Sequence, residues 1–84
     1  MKRNYKKAYT KLVKMGCPVL LGDDYGNERI FRISAEDNDD TIWADYYQMD
    51  FGDWGVNQTV VDVLSQNGLY AEWINPGVLA VIEV

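Results

Sequence analysis

The chain contains no histidine and a single cysteine, Cys17. No lysine or arginine occurs beyond Arg32. Each absence removes a class of chemistry. Without histidine, the side chain most often used as a general base near neutral pH is missing. One cysteine cannot build a disulfide framework, and with no histidine it cannot supply the four ligands of a zinc site. A lone thiol fits a reducing compartment. Serine is confined to Ser34 and Ser65, and neither stands in a nucleophile-elbow pattern. No apolar run approaches the roughly 18 residues that a membrane-spanning helix needs. No apolar h-region follows Met1, so no secretory leader is expected, and a cytoplasmic location is.

What is present is segregated by charge. Arg3, Lys6, Lys7, Lys11 and Lys14 crowd the first fourteen positions with Lys2. Positions 33 to 84 hold only acids: Glu36, Asp37, Asp39, Asp40, Asp45, Asp50, Asp53, Asp62, Glu72 and Glu83. The net charge is -5. A basic segment joined to an acidic body speaks of partners, self-association and field effects. Eighty-four residues make one domain, expected to span 1–84. A chain this short buries only about 60% of its unfolded surface, which makes assembly with further copies a route to stability. The apolar fraction of 48% separates it from disordered acidic tails.

Residues 4–15 read as an amphipathic helix. Tyr5, Ala8, Tyr9, Leu12 and Met15 follow helical spacing, with Arg3, Lys7, Lys11 and Lys14 on the opposite side. Gly16 and Pro18 stop it. The spacing predicts strands near 17–22 and 28–35, separated by a turn at Gly22-Asp23-Asp24-Tyr25-Gly26-Asn27. A polar loop at 36–40 leads to an expected strand at 41–49, rich in aromatic and β-branched residues. A short helix over 57–66 is favoured over a strand, with Asn57 as its cap and Asn67-Gly68 as its stop. Two apolar strands, 69–74 and 78–84, flank the turn Asn75-Pro76-Gly77.

Several residue groups invite a chemical reading. Asp37-Asn38-Asp39-Asp40 resembles the start of a calcium loop, but an EF-hand beginning at Asp37 requires glycine and glutamate where Ile42 and Gln48 stand. A solvated loop is the expectation. Asp45 and Glu72 have no sequence relation that makes them a catalytic pair. No nucleophile or metal cluster emerges, so no catalytic activity and no cofactor are expected. The aromatic residues Trp43, Tyr46, Tyr47, Phe51 and Trp54 suit core packing, and some of them suit base stacking.

The order of elements resembles the Sm/LSm family: a helix followed by five bent antiparallel strands. Ile74-Asn75-Pro76-Gly77-Val78-Leu79-Ala80-Val81-Ile82 is similar to the family's second motif, with Asn75 in place of its arginine. Asp45-Tyr46-Tyr47-Gln48-Met49-Asp50 is similar to the first motif, with Asp50 near the place of its asparagine. The resemblance implies a mainly β fold: a small SH3-like barrel with an N-terminal helix and a short helix inserted between the third and fourth strands. An α+β two-layer sandwich is the alternative. It also implies a ring of subunits that binds RNA or single-stranded DNA. Phosphates would lie on Arg3, Lys7, Lys11 and Lys14, bases on Tyr46 or Tyr47, and Asn75 would make a polar base contact. The ending from Leu69 to Leu79 resembles small proteins of marine cyanobacterial phages, implying a host-cytoplasmic setting. A competing expectation, from the acidic half, is a regulator that binds a host protein or imitates nucleic acid.

Overall fold

The computed structural model describes residues 1–21 and 30–84. The turn expected at 22–27 and the first residues of the second predicted strand lie outside the described residues. The first helix, α1, spans Arg3–Met15. It buries Tyr5, Ala8 and Leu12, while Tyr9 and Met15 are half-buried at the margin of the same face. Gly16 ends it at φ 87°, a left-handed conformation that an L side chain resists. The Gly16 amide donates to the Val13 carbonyl and the Cys17 amide to the Leu12 carbonyl, each at 3.0 Å.

Four antiparallel strands follow: β1 (Val19–Leu21), β2 (Phe31–Ser34), β3 (Leu69–Asn75) and β4 (Val78–Glu83). They form an open sheet in the order β1-β2-β4-β3, so β1 and β3 are its edges. The second helix, α2, spans Gln58–Gln66 and precedes β3. Its cap is Asn57, whose side chain accepts the Thr59 amide at 2.9 Å. The outcome is a small, strand-rich domain of mixed α and β elements built on an open sheet, with the N-terminal helix and the short helix ahead of the last two strands that the sequence predicts. Alternation along the strands puts Phe31, Ile33, Leu79, Val81 and Leu69 into one core with Ala8 and Leu12 of α1 and Val60, Val63 and Leu64 of α2. Phe31 anchors this layer, meeting the rings of Tyr5 at 6.4 Å and Tyr9 at 5.5 Å, both edge to face.

One expected element is corrected. Residues 41–49 form turns, not a strand; within them only Ala44 makes a ladder contact, to Val56. The tabulated propensities of this stretch were satisfied by burial instead of pairing, because Trp43 and Ala44 enter the core. Asn38 holds them there: its side chain accepts the Trp43 amide at 2.9 Å and donates to the Ala44 carbonyl at 3.0 Å. The Asp45 carboxylate then accepts the Tyr47 amide at 3.0 Å, closing an Asx turn that breaks any extended run. Gly55, at φ 80°, brings its carbonyl within 2.7 Å of the Asp45 amide. A Cβ there would lie 2.5 Å from the Asp45 carbonyl oxygen, so the loop closes only around glycine.

Candidate nucleic-acid interface

The basic face of α1 survives folding intact. Arg3, Lys6, Lys7, Lys11 and Lys14 are all exposed. With Thr10 they line one shallow depression along the helix. Their spacing is that of a single helical stripe, on the side away from Tyr5, Ala8 and Leu12. Lys6 belongs to this stripe although the sequence reading centred on Arg3, Lys7, Lys11 and Lys14. Its signal was its place one turn before Thr10 and three residues after Arg3.

None of these five side chains forms an ion pair with any described residue. Lys2 does, reaching the Glu83 carboxylate at 2.9 Å. That hydrogen bond, reinforced by the opposite charge, raises the Lys2 pKa above its ordinary value. The amino end of α1 is also electrostatically uncomfortable. Its first turn holds no acidic residue and its flanking residue Lys2 provides no side-chain cap. Cations there sit against the positive end of the helix dipole, where an anion is favoured. Lys2, Arg3, Asn4 and Lys7 share a second surface depression with Gln66 and Asn67 at the end of α2.

The aromatic candidates lie elsewhere. Tyr47 is 82% exposed and stacks edge to face on Tyr46 at 5.5 Å. Tyr46 in turn meets Trp73 of β3 at 5.3 Å. No described contact or depression joins these rings to the basic face of α1. Asn75 is occupied in the β3–β4 turn, where its side-chain oxygen accepts the Gly77 amide at 2.8 Å. Trp73 and Trp54, which the sequence did not single out as a pair, are linked: the Trp73 indole N–H donates to the Trp54 carbonyl at 2.9 Å. A contact across 19 residues leaves no local trace in sequence.

The other polar and titratable candidates are placed as follows. Burial pushes the Cys17 thiol up to about 12, the opposite of what a nucleophilic thiolate requires. Asp37 is engaged by the Ser34 hydroxyl, which donates to it at 2.6 Å. Asp45 lies in the turn region, its carboxylate on the Tyr47 amide, and Glu72 lies on β3, with no described contact between them. Among the described residues, no three acidic or thiol side chains gather where they would hold a metal ion. No described helix is long and apolar enough to cross a membrane. Compared with protein-family models, with curated proteins and with solved structures, the chain matches none.

Proposed function

We propose that this protein is a non-catalytic module that binds single-stranded RNA through the phosphate backbone, using the exposed basic face of α1. One observation carries the reading. Five cations stand on one helix face in a chain with thirteen acidic residues, yet no described carboxylate neutralises them. Side chains left unpaired in this way are available to a polyanion. The acid-free first turn of α1, which Lys2 does not cap, adds a position where a phosphate relieves an unfavourable field. Assembly of several copies, as the family resemblance suggests, would array these faces and offset the repulsion of the acidic body. Base stacking on Tyr46 or Tyr47 forms a second, separate surface, and Asn75 is reserved for its turn.

Fluorescence anisotropy with a labelled oligouridylate tests the proposal. Five phosphate contacts on a single strand give a slope of log affinity against log salt near about −3.5. The double variant Lys7→Glu, Lys11→Glu is expected to weaken binding by at least about tenfold at about 50 mM salt and to flatten that slope. Tyr47→Ala is expected to leave the slope unchanged, whatever it does to affinity. Absence of binding at about 50 mM salt, or binding indifferent to salt and to the double variant, overturns the reading.

A further inference from the structure

The edge strand β3 has main-chain groups that nothing described satisfies. The Val84 amide donates to the Gly68 carbonyl at 2.9 Å, which fixes the phase of the β3–β4 ladder. From that pair the register runs through Tyr70 opposite Ile82 and Glu72 opposite Ala80. In an antiparallel pair, hydrogen-bonded and non-hydrogen-bonded positions alternate. Tyr70 and Glu72 therefore bond inward to β4, and the partly exposed Ala71 and Trp73 turn their N–H and C=O groups to the open edge, while Leu69, on the same side of the ladder, is buried in the core. The neighbouring ladder agrees, because the Ala35 amide bonds to the Gly77 carbonyl at 2.8 Å and so assigns Leu79 and Val81 to β2.

Beside this edge lies a groove of about 640 Å³. Every residue from Leu69 to Trp73 lines it. Consecutive strand residues point to opposite faces, so a groove that touches all five follows the strand's edge and not one of its faces. Its far wall is Val61 of α2 together with Trp54 and Val56 of the preceding loop. Trp54 is 75% exposed and sits at φ 52°, a backbone region that bulky residues rarely adopt. The charged side chains on the groove are Asp53 and Glu72, both acidic.

We propose that the free edge of β3 and this groove take an extended segment of a partner protein in which apolar and basic side chains alternate. The segment adds a strand by bonding to Ala71 and Trp73. Its apolar side chains enter the groove against Val61, Val56 and Trp54, and its basic side chains meet Glu72 and Asp53. Main-chain bonding supplies the affinity of such strand addition, and the alternate pockets and charges supply its selectivity. This site is distinct from the basic face of α1 and stands or falls separately from RNA binding.

The test uses the full 84-residue chain, labelled with ¹⁵N, and three synthetic peptides of equal length. One alternates valine and lysine, one alternates valine and glutamate, and one has the valines and lysines in two blocks. The alternating valine–lysine peptide is expected to slow exchange of the Ala71 and Trp73 amides by about tenfold or more and to shift tryptophan fluorescence. The glutamate peptide and the block peptide are expected to bind at least about tenfold more weakly. Glu72→Lys, an exposed change that leaves the core untouched, is expected to weaken the valine–lysine peptide by about tenfold, whereas Lys7→Glu, Lys11→Glu leaves it unchanged. Equal binding of the three peptides, or protection confined to residues other than Ala71 and Trp73, overturns the proposal.

Discussion

Asn38 makes bonds that need an acceptor and a donor on one short side chain. It accepts the Trp43 amide and donates to the carbonyls of Ala44 and Ala35, at 2.9, 3.0 and 3.4 Å. Aspartate keeps the acceptor and loses the donor; alanine loses both. Asn38→Ala strands a donor and an acceptor beside buried Trp43 and Ala44, each at a cost of about 1–3 kcal/mol. The expected result is a melting midpoint lower by about 10 °C or more. Asn38→Asp should fall between alanine and the parent chain. Thermal denaturation followed by circular dichroism decides it, and an unchanged midpoint for Asn38→Ala would show that water replaces the side chain. None of this was legible beforehand. In a run of Asp, Asn and Asp, an asparagine reads as turn chemistry, and its distant partners are set only when Trp43 finds the core. The same reason undid the strand expected at 41–49. Aromatic and β-branched density marks burial, and burial was achieved by a loop closed on Asp45 and Gly55.

The helices were the legible elements, because helical periodicity and end signals are local. Both ends of α2 were written in Asn57 and in Gly68, which adopts φ 70°. The two helices differ at their amino ends. α2 is capped by Asn57, while α1 begins with Lys2 and Arg3, has no acid in its first turn and no side-chain cap from Lys2; only the Asn4 side chain bonds there, accepting the Tyr5 amide at 3.0 Å. That arrangement trades helix stability for a cationic end. Arg3→Glu places an acid in the first turn of α1, which is worth about 0.3–1 kcal/mol there. The midpoint should rise by about 2–5 °C while RNA affinity falls. Parallel melting and anisotropy measurements read the two effects. A lower midpoint would mean that Arg3 serves the fold, and the assignment of the stripe to a ligand would lose its physical basis. The groove beside β3 belongs to the opposite category. It depends on which strand becomes an edge, and the sheet order that makes β3 an edge is not encoded in the period of its residues.

Charge acts at the scale of the whole molecule. The separation of bases from acids was fully visible in the sequence; how little of it would be neutralised in contact was not. Lys2 pairs with Glu83, and both side chains are substantially exposed, a class of pair that contributes little. The molecule measures 31 × 26 × 23 Å, so at about 0.01 M salt, where the screening length is about 30 Å, its charges act across the whole body. Segregation makes like charges the near neighbours and unlike charges the distant ones. Repulsion within the acidic body therefore outweighs attraction between body and helix. Screening should relieve more than it removes, and the melting midpoint should rise by several degrees as sodium chloride increases from about 0.01 M to about 0.5 M. Scanning calorimetry at a protein concentration low enough to limit association measures this directly. A midpoint that falls with salt would mean that long-range attraction between the α1 face and the acidic body holds the molecule together, leaving that face less available to phosphates than the structure of the stripe suggests.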